Sequence, residues 1–190
     1  MEERGPRRHR ITVDEYYRMA EVGLLASDAR VELIEGEIID MAPIGVEHGW
    51  VVDQLARLLI TAVGTKGYVR IQGAVRLSRW SQPQPDAVVL APRSDYRTRH
   101  PSGADTLLVI EVSDSTVRYD LEVKVPLYAR HGVPEAWVLD LTKHRLHVFG
   151  SLVADIYTET RIDHSPGKTE ITAAPGLFID LSQILLASAP

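Results

Sequence analysis

The run Leu107-Leu108-Val109-Ile110-Glu111-Val112 constrains this chain more than any other stretch. Its only polar residue is Glu111. A strand apolar on both of its faces is covered on both sides. An acid inside such a strand must be paired or bind a cation, because isolated ionised carboxylates are almost never buried. A second apolar run, Ala87-Val88-Val89-Leu90, is opened by Asp86 directly after Pro85. If the two strands are antiparallel neighbours, the start of one lies beside the end of the other. Asp86 and Glu111 then share one end of a sheet. Two carboxylates held together repel, and a divalent cation relieves the repulsion. Oxygen ligands in a partly open site suit Mg²⁺ or Mn²⁺.

The residues after Val112 extend this frame. Ser113-Asp114-Ser115-Thr116 is rich in helix-capping side chains and predicts a helix to about His131, with Leu121, Val125 and Tyr128 on one face. Pro126 inside it should kink it or mark a break. Gly132 is a C-cap candidate, with Pro134 beyond. Ala136–Asp140 then reads as a strand. Strand, helix and strand joined by so short a crossover form a right-handed parallel βαβ unit. Glu111 falls at the carboxyl end of its first strand, where open α/β sheets place ligands.

Upstream, Thr12 and Glu15 form a capping box for a short helix from Val13 to before Gly23. Glu35-Gly36 joins two strands as a hairpin. Glu32 lies on the same strand face as Ile34 and reads either as an edge acid paired with an arginine or as a neighbour of the metal shell. A long amphipathic helix runs from about Glu47 to Val63, its apolar stripe formed by Val52, Leu55, Leu59 and Ala62. His48 heads that stripe. It is either a histidine hydrogen-bonded near the helix start or a proton shuttle or phosphate contact beside the metal. Tyr68–Ile71 and Ala74–Ser78 are short strand candidates. Residues 91–106 form a long polar connection, a plausible substrate arm. The tail alternates as antiparallel strands, with a last short segment from Leu177 to Leu186.

Charge and composition narrow the class. The chain of 190 residues carries a formal net charge of −5, yet residues 66 to 99 hold seven Lys or Arg against Asp86 and Asp95, a local +5. A basic surface around an acidic centre suits a phosphodiester substrate; the plain alternative is a solvated face. Arg76 and Arg118 are candidate substrate contacts. No apolar run approaches the ~18 residues of a membrane span, and residues 1–10 read as a flexible basic arm without a signal-peptide core. The absence of cysteine excludes disulfides and thiolate metal sites, and the default expectation is a cytoplasmic protein. Residues 11–190 are expected to form one domain.

Taken in order, Glu32-Leu33-Ile34-Glu35-Gly36-Glu37, Glu47-His48, Gln84-Pro85-Asp86, Ile110-Glu111-Val112-Ser113 and Lys124 through Tyr128 to Gly132-Val133-Pro134-Glu135-Ala136-Trp137-Val138-Leu139-Asp140 resemble the Uma-type family of restriction endonucleases, within the PD-(D/E)XK nuclease superfamily. The resemblance implies an α/β protein of the α+β kind: a restriction-endonuclease-like core with a mixed β-sheet flanked by helices, here with an antiparallel C-terminal extension. It implies an Mg²⁺-dependent endonuclease acting on nucleic acid, DNA foremost, in which Asp86, Glu111 and the carbonyl of Val112 bind metal. Where the superfamily pattern has lysine two residues after the glutamate, this chain has Ser113. The resemblance assigns that role to Lys124, which also reads as an i,i+4 partner of Asp120. Cutting both strands of a duplex needs two sites, hence an expected homodimer. The alternative is a non-catalytic nuclease-fold module that binds nucleic acid or a protein.

Overall fold

The computed structural model describes residues 8–26 and 28–185. Most of the expected N-terminal arm, residues 1–7, lies outside them, as does Leu186 at the end of the last predicted segment. Among the described residues no helix is long and apolar enough to cross a membrane.

The core is one six-stranded mixed sheet in the order β3-β4-β5-β6-β7-β8: Tyr68–Ile71, Ala87–Leu90, Thr106–Ser113, Ala136–Asp140, Arg145–Val153 and Ile156–Asp163. Only β5 and β6 run parallel; every other neighbouring pair is antiparallel. The helical crossover predicted after Glu111 accounts for that single parallel pair. Alternation along β4 and β5 divides the interior in two. Ala87, Val89, Leu108, Ile110 and Val112 face helix α2 (Val46–Val63) and the C-terminal segment. Val88, Leu90 and Val109 face Val125, Tyr128 and Val133. Because Ala87 pairs with Ile110 and Val88 with Val109, Asp86 and Glu111 stand opposite each other on the second face, at one end.

A smaller antiparallel pair, β1 (Val31–Ile34) and β2 (Glu37–Asp40), lies beside the main sheet. Glu35 and Gly36 form its turn with φ of 50° and 85°, the left-handed pair that a two-residue hairpin requires. A Cβ at Gly36 would stand 2.6 Å from Cβ of Arg10, so glycine is also fixed by this close approach. The hairpin is stitched to residues 80–84. Gln82 donates its amide to Leu33, Gly36 donates to Trp80, and Glu35 donates to the Ser81 hydroxyl. Before it comes α1 (Val13–Glu21), with the Thr12–Glu15 capping box formed.

Three expectations are corrected. Ala74–Ser78 is not a strand but an irregular excursion. Its amides bond to Pro83, Pro101 and Ser81, so no ladder is left for it to join. Pro126 does not break its helix. Short α3 (Val117–Tyr119) passes through a π turn (Asp120–Lys124) into α4 (Val125–Arg130) without interruption. The wider turn just ahead of Pro126 fits a residue that lacks an N–H and crowds the carbonyl four residues back. The helix then closes in a Schellman cap: Val133 donates to Tyr128, Gly132 donates to Ala129, and Gly132 has φ of 77°.

The third correction concerns residues 91–106. They leave β4 at its far end, opposite Asp86, because antiparallel pairing sets Leu90 beside Thr106. Two of their three arginines, Arg93 and Arg99, are also occupied. Arg99 makes a bidentate contact with Asp105 at 2.7 and 3.1 Å and reaches Asp95 at 2.8 Å. Arg93 contacts the same two acids. None of the seven Lys and Arg of residues 66 to 99 is among the residues that wall the cleft at Asp86. Farther on, β9 (Lys168–Glu170) and β10 (Phe178–Asp180) form a separate antiparallel pair. Ile171, Leu177, Ile179 and Leu181 carry this segment into the α2 side of the core. Glu135, fully buried, ties it down: one carboxylate oxygen accepts from the Trp137 indole, the other from Thr172 and the Ala173 amide.

Candidate active site

A cleft of about 290 Å³ opens at the sheet end that carries the two acids. Strand ends, the hairpin and two helix starts build its wall. Glu32 comes from β1, His48 from the first turn of α2, Asp86 from the start of β4, and Glu111 and Val112 from the end of β5. Tyr119, Asp120 and Lys124 come from the following helix. The sequence-predicted core of Asp86, Glu111, Lys124, His48, Val112 and Glu32 therefore converges. Arg76 and Arg118 do not join it: Arg76 pairs with Asp14 at 2.8 Å and Arg118 with Glu122 at 2.9 Å, and neither lines the cleft.

Each carboxylate has one oxygen held by two protein donors. Asp86 Oδ2 accepts from the Val112 amide at 2.9 Å, with His48 Nε2 at 3.3 Å. Its Oδ1 has only the Gln72 side-chain amide, at 3.3 Å. Glu111 Oε1 accepts from the Tyr128 hydroxyl and stands 3.2 Å from Lys124 Nζ, while its Oε2 takes no hydrogen bond. The ammonium of Lys124 lies between Glu111 and Glu32, the latter at 3.1 Å. Glu32 also accepts from the Gln84 amide. Its partner is therefore the site lysine, not the arginine of the plain sequence reading. All three of these charged side chains are at least nine-tenths buried.

Electrostatics follows from that burial. Desolvation drives the Glu111 carboxyl well above its ordinary pKa; Lys124 opposes the rise, and Asp120, Asp86 and Glu32 add to it. For Lys124, burial alone would lower the pKa, but Glu111 and Glu32 outweigh it, so the pKa rises and the ammonium stays charged. His48 is raised, first by its contact with Asp86 against partial burial. Burial pushes the Tyr119 phenol up to about 12, so it remains a neutral donor. Among the described residues, the hydroxyl of Tyr119 and Nδ1 of His48 are enclosed without a hydrogen-bond partner, so polar capacity is left unfilled along this wall.

The donor set fits a hard divalent cation held by two carboxylates and a carbonyl. Mg²⁺ commonly binds through one or two carboxylates and keeps several waters. Among the described residues, no group of three or more His, Asp or Glu side chains stands so as to hold a metal ion. Two contributors are missed by the sequence pattern. Tyr128 reads there only as part of an apolar helix face, although a buried hydroxyl needs a partner. Asp120 reads only as a surface partner of Lys124. It is in fact buried and accepts from Ser113 at 2.7 Å and Thr116 at 2.6 Å.

A mixed sheet with paired acids at one end and a lysine on the next helix defines an α/β protein of nuclease fold. The crystal structure of a putative nuclease belonging to DUF820 from Anabaena variabilis superposes with a TM-score of 0.69 at 18% identity, covering 93% of this chain and 99% of that one. The Uma2 family, described as "Putative restriction endonuclease", matches residues 13–182, and the chain belongs to it. No curated protein matches it.

Proposed function

We propose that this protein is a Mg²⁺-dependent endonuclease that hydrolyses nucleic-acid phosphodiester bonds, with DNA as its substrate. The observation that carries the reading is the meeting of Asp86 and Glu111 on adjacent strands, with Lys124 Nζ 3.2 Å from Glu111. Asp86, Glu111 and the Val112 carbonyl would hold the cation, and Mn²⁺ would substitute for Mg²⁺. A cation bound there would lower the pKa of a water and neutralise charge on the scissile phosphate. Lys124, kept charged by two acids, stabilises negative charge developing at the phosphate. His48 sits against Asp86 and takes up or delivers a proton at Nε2. Glu32 holds the same ammonium at 3.1 Å. On a duplex, two such sites in a homodimer would cut both strands.

The test is cleavage of plasmid DNA, and in parallel of RNA, with Mg²⁺ or Mn²⁺. Wild type should cut, and Asp86→Ala or Glu111→Ala should lose about a thousandfold in rate or more. A wild type as inert as these variants across metals and substrates refutes the proposal. One observation favours a second reading, a non-catalytic module that binds nucleic acid or a protein: Lys124 is already engaged by two carboxylates. A protein of that kind would show no Mg²⁺ or Mn²⁺ binding by calorimetry.

A further inference from the structure

We infer that Tyr128 is a positioning residue for the cation site, acting through Glu111. The inference rests on the metal-dependent reading above and adds a residue that reading does not use. Tyr128 is fully buried, and its ring packs with Val88, Val109, Val125 and Val138. Its hydroxyl reaches out of this apolar cluster to a single atom, Oε1 of Glu111. Lys124 approaches the same oxygen. With Oε1 held by two donors, Oε2 is the oxygen left for a ligand. Asp86 mirrors the arrangement: the Val112 amide and His48 meet at Oδ2, and Oδ1 keeps one long contact. Among the described residues, each acid thus has one oxygen held by two protein donors and one held by a single long contact or none. Such outer partners set the orientation of metal-binding carboxylates.

The helix geometry supports this division. Asp120, Lys124 and Tyr128 are spaced four residues apart, and all three are buried. In a regular α-helix each step of four advances about 40°, so three such residues would fan out. The π turn at Asp120–Lys124 takes more residues per turn and offsets the advance of the α segment that follows. The three side chains therefore fan out less than they would on a regular helix. Asp120 contacts β5 through Ser113, and Tyr128 contacts it through Glu111.

The experiment is calorimetric titration of the full chain with Mn²⁺ in the absence of nucleic acid, alongside thermal unfolding. Tyr128→Phe removes only the hydroxyl and should weaken Mn²⁺ binding about tenfold or more. Tyr157→Phe is the control. It removes another hydroxyl, one that donates to the Val133 carbonyl away from the cleft, and should leave Mn²⁺ affinity unchanged. Equal loss in both variants would mark a general effect of losing a hydroxyl and overturn the inference. Unchanged affinity in Tyr128→Phe, with wild type binding and Asp86→Asn not binding, overturns the role of Tyr128 alone. A wild type that binds no Mn²⁺ overturns both this inference and the metal-dependent reading.

Discussion

At the scale of single residues, the site is a charge-balance problem. Lys124, Glu111 and Glu32 are enclosed together: the ammonium stabilises both carboxylates, while the two carboxylates repel each other. Removing one partner of a buried ion pair costs about 3–5 kcal/mol, because it strands the remaining charge. Lys124→Met should therefore destabilise the fold by about that amount, measured by urea denaturation at pH 7. Adding Glu32→Gln to that variant should recover part of the loss, since one stranded acid is removed. Non-additivity of this kind is expected for side chains in direct contact. A double variant less stable than the sum of the single losses predicts would contradict the arrangement. Neither variant should cleave DNA.

At the scale of elements, two features far from the cleft hold its scaffold. The first is the 91–106 connection, fastened by Asp105. Arg99, first of all, holds the Asp105 carboxyl well below its ordinary 3.8, against the opposing effect of burial. A depressed carboxylate adds stability that is complete above its unfolded pKa and is lost as pH falls through its folded pKa. Unfolding free energy should therefore fall as pH drops below about 4, and Asp105→Asn should flatten that acid limb in denaturation curves taken between pH 7 and pH 2. The second feature is Gly103. A Cβ there would stand 1.9 Å from the carbonyl oxygen of His131 at the end of α4. Gly103→Ala must push backbone against backbone and should cost about 1–3 kcal/mol, measurable as a lowered midpoint. The Gly103 contact is long-range, whereas Asp105 meets Arg99 and Arg93 from within the same connection. Neither shows in a composition that is that of a solvated loop.

At the scale of the whole molecule, the sheet end that carries the site is legible in the sequence. The apolar runs, with Asp86 opening one and Glu111 inside the other, are local signals of two strands; that the strands are antiparallel neighbours enters the sequence reading as a condition, which the pairing of Ala87 with Ile110 fulfils. The π turn, the Tyr128–Glu111 contact and the separate β9–β10 pair are not legible, since no residue pattern in those stretches marks them. A bound cation should stabilise the whole fold by linkage: at a hundredfold excess over Kd, about 2.7 kcal/mol, or roughly 5–10 °C in Tm. Asp86→Asn should abolish the shift in a thermal melt with Mg²⁺. Ser113 carries a last consequence. It occupies the position where the superfamily pattern has its lysine, but here it is fully enclosed and serves as the latch for Asp120. Ser113→Lys would unfasten the helix that carries Lys124 while adding a second ammonium to a spot without room for it. One exchange cannot convert this layout into the other; the two designs are separated by a valley that only coordinated changes can cross.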